Sequence, residues 1–209
     1  MSLCLETKCL HLDKQADESK PAHYGAVSFP IYQTATYAHP AVGQSTGFDY
    51  SRLQNPTREQ VEKIMAQLEG GIDALALSSG MAAISCLAKI FAPGDDVLVS
   101  SDLYGGTWRI FNVYETYGVH FHYIDTSDFA LVKKSLTANT KAIFIETPSN
   151  PMMKVTDIRA CADLIHAHRK DGVCISDFES ALISRIIVCR AKGRFLTAEE
   201  LVDAVREYD

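Results

Sequence analysis

Across residues 74–176, short apolar runs alternate with segments whose apolar residues recur every three or four positions. That alternation leaves the chain few ways to fold. Residues 74–77 read as a strand, and residues 81–91 as a helix with Ile84, Leu87, Ala88 and Phe91 facing inward. Asp96–Ser100 reads as a strand, 107–117 as a helix and 120–125 as a strand. Ser127 or Asp128 can cap a helix running to Leu136, and 142–145 has the composition of a buried strand. A helix over 157–169, capped by Thr156 or Asp157, then leads into a strand over 173–176. Five short strands interleaved with four helices predict an α/β fold, a mainly parallel sheet with helices packed on its faces.

The flanks read differently. Residues 1–50 lack sustained periodicity and are rich in Pro, Ser, Thr and Tyr, which predicts an extended N-terminal arm over 1–55. Asn55 suits a helix N-cap and Pro56 its first position, where a missing N–H costs nothing. Val61, Ile64, Met65 and Leu68 then give one apolar face, stopped by Gly70-Gly71. The α/β domain is expected to span 56–177. Beyond it, residues 178–209 form an unassigned tail: an apolar run over 182–189, a basic patch of Arg190, Lys192 and Arg194, and a short helix opened by the capping box Thr197-Ala198-Glu199-Glu200.

Charge and cysteine usage narrow the function. A net charge of −6 argues against a nucleic-acid partner, which needs a basic face. No apolar run approaches the ~18 residues of a membrane span, and residues 1–20 lack a signal-peptide core, so a cytoplasmic location is expected. The six cysteines form no Cys-x-x-Cys pair, and Cys86, Cys161 and Cys174 sit in apolar stretches as reduced core thiols. His120 and His122 share a strand face without a cysteine or carboxylate at useful spacing, while His166 and His168 diverge on a helix, so no metal site is expected. Neither Gly-x-Gly-x-x-Gly nor Gly-Lys-Ser/Thr occurs.

Three strand-end segments carry the chemistry. In an open α/β sheet, ligands sit beyond the carboxyl ends of the strands. Ser78-Ser79-Gly80-Met81 follows a strand and opens a helix, so free N–H groups and the positive helix end converge where a phosphate can bind, with the Ser79 hydroxyl as a further donor. Tyr104 leaves the next strand ahead of Gly105-Gly106, placing an aromatic face and a phenol at the same edge. Glu146-Thr147-Pro148-Ser149-Asn150-Pro151 is a stiff loop whose Asn150 amide can bond a ring hydroxyl. Singly, the first two segments read more readily as a tight turn and a core-edge tyrosine, and the third equally well as a proline-stiffened loop.

In order, and with Tyr50-Ser51-Arg52 ahead of Asn55-Pro56-Thr57-Arg58, they resemble the cystathionine γ-synthase/γ-lyase group of pyridoxal-phosphate enzymes, the fold-type I trans-sulfuration family. The resemblance covers roughly residues 22–172 and includes Pro30-Ile31-Tyr32-Gln33-Thr34, Leu68-Glu69-Gly70-Gly71 and Pro93-Gly94-Asp95. It implies pyridoxal 5'-phosphate as cofactor, with the Gly80 and Met81 amides and Ser79 on its phosphate. Tyr50 and Arg52 would reach a neighbour's phosphate across a homo-oligomer interface, Arg by bidentate pairing. Tyr104 would stack on the ring and, as the catalytic residue, take part in proton transfer from the substrate amine. Glu146 and Asn150 match positions near the ring, and Asp177 is the candidate partner of the pyridine nitrogen, although Phe178-Glu179-Ser180 follows it where the family has Asp-Asn-Thr-Phe.

The implied substrates are amino acids of the cystathionine, cysteine, homocysteine or O-acylhomoserine class. At Gly106 methionine γ-lyases tend to carry cysteine, which points away from methionine cleavage. The family's Ser-x-Thr-Lys, whose lysine joins the cofactor covalently, is absent, and the single lysine after Asp177, Lys192, lies in the basic run Arg190-Ala191-Lys192-Gly193-Arg194. An incomplete large domain, truncated and inactive alone, is therefore expected; the alternative is a non-catalytic cofactor-binding or subunit-pairing fragment.

Overall fold

The computed structural model describes residues 4–10, 26, 28–69, 71–177 and 186–189. They divide into two compact units: the described residues up to Ala76 with Val188 and Cys189, and Leu77 to Asp177 with Ile186 and Ile187.

The first unit contains α1 (Leu5–Leu10), α2 (Pro56–Glu69) and β1 (Asp73–Ala76). One and a half turns of helix therefore interrupt what the sequence reads as an extended arm. Asn55 caps α2 as expected: its Oδ1 accepts from the Thr57 N–H at 2.9 Å, with Pro56 at the first helical position. The far end closes through the Gly71 N–H on the Ala66 carbonyl at 2.8 Å. Among the described residues β1 is hydrogen-bonded to β6 (Ile186–Cys189) and not to the large sheet, a correction to the five-stranded parallel reading. Pairing partners are set by tertiary contacts, which a local apolar run does not encode.

In the second unit, β2 (Asp96–Ser100), β3 (His120–Ile124), β4 (Thr140–Glu146) and β5 (Val173–Asp177) form a parallel sheet of order β3-β2-β4-β5. The intervening helices are α3 (Gly80–Ala88), α4 (Gly105–Glu115), α5 (Phe129–Ser135) and α6 (Ile158–His168). The strand period of two sorts the apolar residues onto two faces. Val97, Val99, Ala142 and Phe144 pack with Ile84 and Ala88 of α3 and Phe111 of α4. Leu98, Ile143 and Ile145 pack with Val132 of α5 and with Cys161 and Ile165 of α6. Phe111 stacks on Phe121 at 4.3 Å between centroids and meets Phe144 edge-on at 5.2 Å. Because both faces are covered, the strands read as continuous apolar runs.

Caps decide the helix starts. Asp128 and Asp157, each offered by the sequence beside a second candidate, are the residues used, accepting from the Leu131 and Ala160 N–H groups at 3.1 and 2.9 Å. Helix α3 ends at Ala88, earlier than its apolar spacing predicts; the 3₁₀-type bonds of Lys89, Ile90 and Phe91 to residues three back still carry Phe91 into the core at 8% exposure. The tail 178–209, with its expected C-terminal helix and Lys192, lies outside the described residues except for the β6 backbone.

Candidate functional site

Strand order places the site. The chain leaves β2 through α4 on one face to reach β3, and leaves β4 through α6 on the opposite face to reach β5. Between the carboxyl ends of β2 and β4 the connections therefore diverge, opening a crevice at a topological switch point. Tyr104 follows β2, and Glu146 closes β4 ahead of Asn150.

At the entrance of α3, Ser79 is the N-cap and its Oγ accepts from the Ala82 N–H at 3.1 Å. A hydroxyl that accepts keeps its own hydrogen to donate. The Ala83 N–H is satisfied by the Ser79 carbonyl at 3.1 Å. Among the described residues the N–H groups of Gly80 and Met81 have no partner, as the first donors of a helix normally do not. Two free amides, one hydroxyl and the helix dipole thus point outward together, a donor set that suits a phosphate-like anion.

Tyr104 stands beside this entrance. Its side chain is 50% exposed, and it precedes α4 without a side-chain cap. Gly106 explains how it fits. A Cβ at Gly106 would collide with Tyr104 Cε1, sit 3.0 Å from Tyr104 Cδ1 and 2.8 Å from Met81 Sδ. The tyrosine ring edge, the first turn of α4 and the Met81 thioether therefore converge on one point, and only glycine leaves room. This also explains why α4 starts at Gly105 and not at the expected Thr107: the two glycines are its first turn.

The Glu146 carboxylate is 2% exposed and bonds both neighbours. The Tyr104 N–H donates to its Oε2 at 2.8 Å and the Asn150 N–H to its Oε1 at 3.2 Å. Asn150 itself is exposed, on a loop with cis Thr147-Pro148 and Asn150-Pro151 bonds. Asp177 ends β5 in register with Glu146, one strand further from β2. Tyr50 and Arg52 belong to the first unit, where the Arg52 guanidinium lies 4.9 Å from the centroid of the Tyr50 ring. Their turn is held by Asn55, whose Nδ2 donates to Ser51 Oγ at 2.9 Å, and by Arg58, which donates to the Arg52 carbonyl at 3.3 Å.

The sequence reading missed a second carboxylate. Asp102 Oδ2 accepts from Ser149 Oγ at 2.5 Å and from the Met152 N–H at 3.0 Å, holding the far side of the Asn150 loop. Beneath lies a buried hydroxyl chain: Ser100 to Thr126 at 2.7 Å, and Thr126 to Thr156 at 2.9 Å. A small recess is lined by Ser100, Asp102, Asp125, Glu146, Ser149 and Lys154 among others. Beside it Lys154 Nζ donates to Asp125 at 2.5 Å, and that bond, with the Ser127 hydroxyl, lowers the Asp125 carboxyl to about 2. The polar residues after each strand were the available signal, but their partners lie too far along the chain to be paired by inspection. The structure also brings a carboxylate to the histidines of β3, His122 Nε2 lying 3.2 Å from Asp96 Oδ1.

Residues 6–186 match the family described as Cys/Met metabolism PLP-dependent enzyme. The chain is 48% identical over 169 residues to the cystathionine gamma-synthase/O-acetylhomoserine (thiol)-lyase of Bacillus subtilis, covering 80% of this chain and 44% of that protein. It is 46% identical over 152 residues to the cystathionine gamma-lyase of the same organism, covering 72% and 39%. Among solved structures, cystathionine gamma-lyase from Lactobacillus plantarum complexed with L-serine superposes with a TM-score of 0.82 at 33% identity, covering 99% of this chain and 59% of that one. The chain thus spans about half the length of the relatives it matches.

Proposed function

Since the chain belongs to the pyridoxal-phosphate-dependent enzymes of cysteine and methionine metabolism, we propose that its 56–177 segment supplies the phosphate and ring-face half of a cofactor site in trans-sulfuration. One observation carries this reading: Met81, beside the unpartnered Gly80 and Met81 amides, converges with the Tyr104 ring at Gly106, and Glu146 ties Tyr104 to the Asn150 loop. These residues fit the group. Three donors at the α3 entrance match a phosphate dianion, and the space left by Gly106 lets Tyr104 lie beside Met81 with its face available for a flat ring. When bound, pyridoxal phosphate supplies an electron sink that makes the Cα proton of an amino acid removable.

The chain's own residues then have separate tasks. Gly80, Met81 and Ser79 bind the phosphate, Asn150 orients the ring through its phenolic oxygen, and Asp177 holds a proton on the pyridine nitrogen. The half-exposed Tyr104 phenol moves a proton at the substrate amine. Tyr50 and the exposed Arg52 serve the phosphate of a second copy, which makes the assembly a homo-oligomer. The substrates are amino acids of the cystathionine, cysteine, homocysteine or O-acylhomoserine class, reacting at the β- or γ-carbon. A cytoplasmic setting belongs to this reading, supported by the buried free thiols of Cys86 and Cys161. No helix among the described residues is long and apolar enough to cross a membrane.

One observation favours a second reading: the 209 residues hold no Ser-x-Thr-Lys. On that reading the chain binds the cofactor or pairs subunits without a covalent lysine. A single experiment addresses both. Pyridoxal phosphate is titrated against the full chain, following the fluorescence of Trp108, its one tryptophan, which lies one turn beyond Tyr104. Saturable quenching is expected, and Gly80→Pro should abolish it, because proline is tolerated at the first helical position yet removes the donor. Equal affinity in the variant would displace the site. Borohydride reduction and peptide mapping then separate the readings: a stoichiometric adduct on Lys192 restores full enzyme chemistry, while scattered labelling of exposed lysines supports the non-covalent role.

A further inference from the structure

Glu146 poses a question that the cofactor site does not answer. A carboxylate at 2% exposure has given up its water, and such burial is tolerable only where donors replace it. Two backbone amides on different segments are among those donors, Tyr104 at 2.8 Å and Asn150 at 3.2 Å. The Glu146 N–H is itself anchored to Ser100 Oγ at 3.2 Å, on the neighbouring strand. One rigid strand end therefore fixes the turn that carries the ring-stacking candidate and the loop that carries the ring-hydroxyl candidate.

We propose that Glu146 is a positioning residue whose two carboxylate oxygens hold Tyr104 and Asn150 as one unit through their backbones. The proposal rests on the reading of Tyr104 and Asn150 as ring-facing residues, and it assigns Glu146 a task different from contact with the ring. The chemistry is specific to a carboxylate. An ionised carboxyl group accepts at both oxygens, whereas an amide of the same shape accepts at one and turns an NH₂ toward the second donor. Charge-assisted bonds from backbone N–H groups are also about twice as strong as neutral ones. Asp102 provides an internal control, because it holds Ser149 and Met152 on the far side of the same loop without bonding Tyr104.

The test uses the full chain and its amide hydrogens. In Glu146→Gln, exchange at the Tyr104 or Asn150 amide should accelerate by about tenfold or more, the loss expected for one charge-assisted bond. Affinity for pyridoxal phosphate, read by Trp108 quenching, should fall on the order of tenfold while the thermal midpoint changes little. A general loosening would instead lower the midpoint and affinity together and speed exchange throughout the sheet. Asp102→Asn should leave the Tyr104 amide as protected as before. Unchanged exchange at both amides in Glu146→Gln would overturn the proposal. Should that variant fail to fold, the unmodified chain decides: protected Tyr104 and Asn150 amides exchanging at matched rates support the coupling, and rapid exchange of either refutes it. A chain that shows the coupled amides but binds no pyridoxal phosphate would refute the cofactor reading and leave the coupling standing.

Discussion

Gly106 shows how much a single missing methyl group settles. Alanine there would set its Cβ against the Tyr104 ring and 2.8 Å from Met81 Sδ. The ring must then swing away or the first turn of α4 must shift. Gly106→Ala is expected to destabilise the chain by about 1–3 kcal/mol, as overpacking does, read as a lowered urea midpoint. Altered Trp108 quenching by pyridoxal phosphate should accompany it, since the displaced ring borders Met81 at the entrance of α3. At this scale the sequence is legible where chemistry is local. Ser79, Gly80 and Tyr104 announce themselves by following strands. It is opaque where a residue works through space: the crowding of Gly106 by Tyr104 and Met81 is visible only in three dimensions, and Asp102 has no visible partner until Ser149 arrives.

At the scale of elements, caps and cores make separable contributions. Helix α5 has seven residues, too few to be stable alone. It is held by the Asp128 cap and by Val132, which is fully buried in the second cluster. Asp128→Ala should cost about 1 kcal/mol. Ile165→Ala, which empties a site at 0% exposure on α6, should cost about 2–5 kcal/mol. Chemical denaturation of the two variants checks the ordering, and a cap loss exceeding the core loss would mean that α5 is anchored differently. Strands β2 to β5 and their helices were legible because burial on both faces writes itself as apolar runs and 3/4 spacing. The partner of β1 was not, because the β6 run lies more than a hundred residues away and carries no signal of direction or register.

For the whole molecule, the arm makes the strongest demand. The first unit presents exposed Arg52 over Tyr50, latched by Asn55 and Arg58. If this pair serves a second copy, the chain should sediment as a dimer or larger at micromolar concentration. Arg52→Ala should then weaken pyridoxal-phosphate binding in the associated state alone and leave binding by diluted monomers unchanged. A compact monomer at micromolar concentration would remove the arm's assignment. Family membership was readable from the ordered motifs, and the match over residues 6–186 agrees with it. The role of the tail was not readable, because an apolar run followed by a capping box specifies a helix without specifying what it packs against.

The carboxylate stitches also bear on the order in which the chain comes together. Glu146 reaches 42 residues back to Tyr104, and Asp102 reaches 47 and 50 residues forward to Ser149 and Met152. None of these bonds can close until β4 has docked beside β2, a slow search for a chain of such nonlocal contacts. A ligand needing all of them cannot template the sheet. It arrives after strand insertion, and its effect on the kinetics is to delay unfolding while leaving the rate of folding as it was.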